Sequence, residues 1–278
     1  MKNIALCISG YFSNQDGDDL MQTNYIYDNI INKILPDNNI DIFIHSFDFQ
    51  NTSKILTKYP TVKKYIIEPQ IDFTNNINEL NKEYIAKIIN LNAPNPNYWF
   101  TVLSGLYSRK QSIILASDYS KENNIQYDCI CWIRFDLGIR VKVLNLDINC
   151  CTFPAISVID MDNTYLYSAF WKQLNAGPAD YWFFSNIENM RILADAYDYV
   201  LENAFKLNSD FILALDNWPD SNADDDFSNE ILIKKPIIQS SKRKYTFLDS
   251  MNSHLLLKFY LISTPLYKNS RFLHTPTN

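Results

Sequence analysis

Short apolar runs ending in small or charged residues recur through the first half of the chain, separated by segments of mixed polarity. Asn3-Ile4-Ala5-Leu6-Cys7-Ile8-Ser9-Gly10 is the first such run, and Asp41-Ile42-Phe43-Ile44-His45-Ser46 the second. Val62 to Pro69 reads as a third strand and Cys129 to Ile133 as a fourth, closed by Arg134-Phe135-Asp136. Continuous apolar runs of this length suit strands covered on both faces. Between them lie a helix-like stretch from about Leu20 to Leu35 and an Asn-rich segment, Ile77 to Asn97, that reads as a helix followed by a loop. A long helix follows from Trp99 to Glu122, with Leu103, Leu106, Ile113, Ile114 and Ala116 along its apolar side.

Further on, Val141 to Leu146, Phe153 to Ile159 and Tyr181 to Ser185 read as strands, and Ile187 to about Phe205 as a helix. The last 70 residues carry an acidic loop (Asp216 to Glu230), a basic stretch (Lys234 to Lys244) and an aromatic tail. Strands alternating with helices predict an α/β fold, a mainly parallel sheet with helices on both faces and a mixed C-terminal lobe. With 278 residues and no repeats or linker, one domain is expected. Two parts are expected within it, 1–140 and 141–278, the second including the C-terminal lobe.

Composition narrows the function. Only 5 glycines are present, and neither a dinucleotide-binding fingerprint nor a phosphate-binding Walker loop occurs. A formal charge of −6 argues against a nucleic-acid partner. The cysteines Cys7, Cys129, Cys131, Cys150 and Cys151 lack metal-ligand spacing, and Cys129 and Cys131 share one face of their strand as core thiols. No apolar run reaches the roughly 18 residues of a membrane span. No leader-like segment precedes the first strand, so a cytoplasmic, reducing setting is expected.

The chemistry gathers at strand ends. In a parallel sheet, Ser9-Gly10, His45-Ser46 and Arg134-Phe135-Asp136 fall on one edge, where open α/β sheets bind ligands. Gly10 permits close backbone approach. Asp136 is a hard oxygen donor suited to Mg²⁺ or Mn²⁺. Arg134 projects to the same side and either pairs with Asp136 or clamps a phosphate. For His45 taken alone, a hydrogen-bonded structural role competes with ligand contact. Arg109 and Lys110, on the long helix, are candidate cations aimed into this crevice, with Ser108 and Gln111 beside them. A solvated helix face is the competing account.

Taken in order, Ile-Ala-Leu-Cys-Ile-Ser-Gly, Asp-Ile-Phe-Ile-His-Ser, Ser-Gly-Leu-Tyr-Ser-Arg-Lys, Tyr-Asp-(apolar)-Arg-Phe-Asp-Leu and Asn175 to Ser185 resemble GT-A-type glycosyltransferases. These are enzymes of bacterial and large-virus surface-glycan synthesis, such as lipopolysaccharide or capsule assembly. The resemblance covers roughly residues 1–200. It implies a Rossmann-like, nucleotide-sugar-binding GT-A fold and metal-assisted sugar transfer to a glycan or lipid-linked acceptor.

The family's metal-binding Asp-x-Asp corresponds here to Arg134-Phe135-Asp136, so the resemblance gives Asp136 the metal, with arginine in place of the first carboxylate. Ser9, Gly10 and Tyr11 match the loop that holds the nucleoside. A general base for inverting transfer is then sought among carboxylates: Asp180 first, with Glu230 and Asp226 next. The Asp224-Asp225-Asp226 run by itself reads as a solvated loop. Trp171 and Tyr181 to Phe183 are candidate sugar platforms or core. Tyr260 to Tyr267 and Lys242-Arg243-Lys244 are candidate contacts for a membrane surface, or plain solvated surface. The alternatives are another nucleotide-dependent transferase acting on surface glycans, or a binding module for nucleotide or glycan without turnover.

Overall fold

Seven strands form one sheet in the computed structural model, which describes residues 1–12, 26–34, 37–73, 98–137, 161–171, 177–204 and 253–273. The strands are β1 (Asn3–Ser9), β2 (Asn39–Ser46), β3 (Val62–Ile67), β4 (Cys129–Arg134), β5 (Leu166–Trp171), β6 (Gly177–Ser185) and β7 (Ser270–Leu273), in the order β3-β2-β1-β4-β6-β5-β7. Pairings β1–β2, β2–β3, β1–β4 and β5–β7 are parallel; β6 runs antiparallel to both β4 and β5. The fold is therefore α/β with a mostly parallel sheet. Both halves of the chain contribute strands to it.

The helices α1 (Thr52–Lys58), α2 (Tyr98–Asn123), α3 (Ile187–Ala194), α4 (Ala196–Tyr199), α5 (Ser253–Ile262) and α6 (Leu266–Asn269) cover the sheet together with a helical segment over 26–34. One face buries Ala5, Cys7, Phe43, Ile130, Trp132 and Phe183 against α2, α3 and α5. The other buries Leu6, Ile44, Cys131 and Phe184 with Ile30, Ile31 and Ile55. Alternate residues of β1, β2 and β4 go to opposite faces, and both faces are covered. That is why these strands are apolar throughout.

The expected strands at Asn3, Asp41, Val62 and Cys129, the long helix and the Tyr181 strand all form. The strands expected at 141–146 and 153–159 lie outside the described residues, as do the Asn-rich segment and the acidic and basic stretches. Five elements are additions to the sequence reading: α1, β5, α5, α6 and β7. The aromatic tail is core as well. Tyr260, Leu261 and Leu266 are buried, and the Tyr260 hydroxyl donates to the Ile192 carbonyl, so those side chains offer nothing to a membrane surface. Among the described residues no helix is long and apolar enough to cross a membrane. Cys129 and Cys131 are buried free thiols with sulfurs 4.0 Å apart.

Candidate functional site

The chain leaves β1 to build β2 and β3 on one side, then returns to build β4 on the other. The carboxyl ends of β1 and β4 thus flank the point where strand order reverses, the place at which open α/β sheets form a ligand crevice. Ser9 is level with His45 across β1–β2 and with Arg134 across β1–β4. The three strand ends picked out in the sequence therefore meet on one line. Because β6 is antiparallel, its beginning, with Asp180, arrives beside the end of β4. Helix α2 crosses this level with Ser108 and Arg109, whose side chains reach the β1–β2 and β4–β6 sides respectively.

On the β1–β2 side the polar groups are closed on one another. The Gly10 N–H donates to the His45 carbonyl (3.2 Å) and to Ser108 Oγ (3.1 Å), while Ser46 Oγ donates to the Gly10 carbonyl (2.7 Å). Gly10 has φ of 109°, a conformation L side chains rarely adopt. His45 is fully buried, with Nδ1 2.7 Å from Ser108 Oγ and Nε2 3.1 Å from Glu68 Oε1. Burial lowers its pKa and holds the ring neutral, against the opposing pull of Glu68. The neutral form that fits has the Ser108 hydroxyl donating to Nδ1 and Nε2–H donating to Glu68. Ser9 Oγ accepts from Trp132 Nε1 (2.9 Å). Tyr11 is half exposed, and its hydroxyl donates to Gln70 Oε1 (2.8 Å).

On the β4–β6 side the groups are charged. Arg134 donates from Nε and Nη2 to the two Asp136 oxygens (2.7 and 2.6 Å) and from Nη1 to Asp180 Oδ1 (3.4 Å). Its guanidinium lies 5.0 Å from the centre of the Tyr181 ring. Burial alone would lower the Arg134 pKa, but Asp136 and Asp180 outweigh it and raise it, so the side chain is a permanent cation.

Asp180 accepts from Ser253 Oγ (2.9 Å) at the start of α5, and its own N–H donates to His254 Nδ1 (3.2 Å). His254 Nε2 lies 3.5 Å from Asp180 Oδ1. Burial would raise the Asp180 carboxyl. His254, Arg134, the Ser253 hydroxyl and Arg109 reverse this and hold it well below the usual carboxylate range.

Arg109 stands apart from the other cations. It is only 2% exposed, and its guanidinium lies 5.2 Å from the Trp132 ring and 5.5 Å from Phe183, a cross-strand pair of β4 and β6. Nε and Nη2 have no hydrogen-bond partner. Burial lowers its pKa to about 10, with Asp180 opposing, so it remains charged at neutral pH. Two buried donors without acceptors cost roughly 1–3 kcal/mol each. Contacts with two aromatic faces return part of this, on the order of 0.5–2 kcal/mol.

Of the residues expected at the site, Ser9, Gly10, His45, Arg109, Arg134, Asp136 and Asp180 gather at this sheet edge. Tyr11 lies on its rim. Lys110 is turned a further step around α2 and pairs with Asp198, beside the Tyr197 ring. Glu230 and Asp226 lie outside the described residues. His254 and Ser253 were not expected; more than 70 residues separate them from Asp180, and no spacing signal links them.

The metal implied for Asp136 meets a poor donor set. Both Asp136 oxygens accept from Arg134, and among the described residues no group of three or more His, Cys, Asp or Glu side chains is placed to hold a metal ion. These residues do not fit a resident divalent cation, which usually takes several oxygen ligands.

Comparison of the chain with protein-family models, curated proteins and solved structures found no match.

Proposed function

We propose that the chain is a glycosyltransferase of GT-A-like fold that moves a sugar from a nucleotide-sugar donor to a glycan or lipid-linked acceptor. The observation that carries this reading is Arg134 at the β1–β4 switch point, level with Ser9 and backed by the buried Arg109, whose Nε and Nη2 have no hydrogen-bond partner. Leaving of a nucleoside diphosphate develops negative charge on phosphate oxygens. Fixed cations in a water-poor crevice stabilise that charge without reorganising. The order of motifs along the chain supports a nucleotide sugar over other anions.

In this proposal Arg134 meets the phosphates and Arg109 adds positive potential from beneath. The Gly10 turn, held by His45, Ser46 and Ser108, shapes the β1 wall. Asp180 orients Arg134. Its carboxyl is held too low to take a proton readily at neutral pH, and it is a better clamp than base.

A second reading, a nucleotide- or glycan-binding module without turnover, is favoured by that same weak basicity of Asp180. The two are separated by incubating the full chain with UDP-, GDP-, CMP- and dTDP-linked sugars, with and without Mn²⁺, and following both melting temperature and release of nucleotide. Glycosyl transfer predicts a melting shift with one nucleotide class and slow donor hydrolysis. A shift without hydrolysis or transfer to any glycan favours the binding module. No shift with any donor overturns both.

A further inference from the structure

We propose that Asp136 is a built-in competitor for an anion: its carboxylate occupies the Arg134 fork and is displaced when a phosphate group enters the crevice. This rests on the reading of the crevice as a nucleotide-phosphate site and assigns Asp136 a role opposite to metal binding.

The geometry is that of a ligand contact made internally. Nε and Nη2 of Arg134 present one edge to two oxygens at 2.7 and 2.6 Å, the arrangement that two oxygens of a phosphate take on the same edge. Arg134 belongs to β4 and is steadied from β6, by Asp180 Oδ1 at 3.4 Å and by the Tyr181 ring. Asp136 belongs to the turn that follows, closed by the Leu137 N–H donating to the Arg134 carbonyl.

Removing the Asp136 carboxylate from the fork therefore leaves the guanidinium aimed as before. Both side chains keep contact with solvent, 26% for Arg134 and 20% for Asp136, so an incoming anion has access. Arg109 cannot play this part, because its unpartnered nitrogens are sealed. The displaced carboxylate remains nearby as a like charge, so an entering phosphate must outbid it for the Arg134 fork.

The test is calorimetric titration of inorganic pyrophosphate into the full chain in EDTA, for the wild type, Asp136→Asn, Asp136→Ser and Arg134→Met, each first checked for an unchanged near-UV spectrum. The competitor role predicts about tenfold tighter binding in both Asp136 variants, from loss of a like charge a few ångströms from the incoming anion. It also predicts loss of binding in Arg134→Met. The serine variant, which is smaller and makes no amide contact to Arg134, decides the matter if the asparagine variant fails to fold.

Binding that is no tighter in the folded variants overturns the proposal. So does binding that requires Mn²⁺ or Mg²⁺ and vanishes when Asp136 is replaced, or the absence of binding in every form. Donor turnover is read separately. Tighter pyrophosphate binding without any turnover leaves the anion site standing and removes the transferase; turnover by the wild type without tighter binding in the variants removes only the competitor role.

Discussion

The two walls of the crevice, on either side of β1, treat their polar groups in opposite ways. On the β2 side, Gly10, His45, Ser46, Ser108 and Glu68 use their donors and acceptors on one another, and His45 is fully buried and held neutral. On the β6 side, two arginines face two carboxylates, and Arg109 keeps two buried donors without partners. A satisfied polar network fixes one backbone geometry. An unsatisfied, charged one is costly to the isolated fold and suited to meeting charge from outside. The contrast is between a wall whose polar groups are satisfied internally and one that keeps charged groups and unpartnered donors.

The largest expected effect breaks the satisfied wall. His45→Ala strands Ser108, Glu68 and the Gly10 turn together, and urea denaturation should show a loss of about 3 kcal/mol, in the range for disrupting a buried network plus a cavity. A loss below about 1 kcal/mol would mean that this wall is not the rigid one.

The charged wall should respond with the opposite sign. Arg109→Met removes unpartnered donors and keeps apolar volume between Trp132 and Phe183. The variant should be as stable as the wild type or more stable, by about 1–2 kcal/mol in the same assay, while losing pyrophosphate affinity. Strong destabilisation would show instead that Arg109 is a structural cation.

The smallest effect is a pH slope. His45 has its pKa lowered by the fold, so at pH below about 6.5 the unfolded chain takes a proton that the folded chain refuses. This contribution to stability is complete above that pH and is lost as pH falls through it toward the lowered folded value. His45→Gln should flatten the wild-type slope between about pH 5 and 6.5 in urea titrations. An unchanged slope would place the titration elsewhere.

The parts of the fold legible in the chain are those where local pattern and burial agree. β1, β2 and β4 are apolar on both faces, and their polar termini stand out against those runs, so Ser9, His45 and Arg134 were visible as a set. Helix α2 was visible from its length, although its apolar residues spread around more than one side because it packs against the sheet and against α3 and α4. β5 and β7 were not legible. Their residues resemble the surrounding aromatic sequence, and only pairing with β6 and with each other makes them strands. Helix α5 was hidden for the same reason, and with it Ser253 and His254.

The Arg-Phe-Asp triplet shows the boundary most clearly. Sequence alone established that an arginine and a carboxylate stand two residues apart at the end of a buried strand, because side-chain alternation and the parallel pattern are local properties. Tertiary structure decided what those charges do. Asp136 is turned onto Arg134, Asp180 is carried to the same guanidinium by the reversed direction of β6, and Arg109 is sealed over two rings from different strands. Long-range pairing sets the Asp180 and Arg109 distances, and electrostatic interaction depends on distance and burial, neither of which is written in the spacing of residues along the chain.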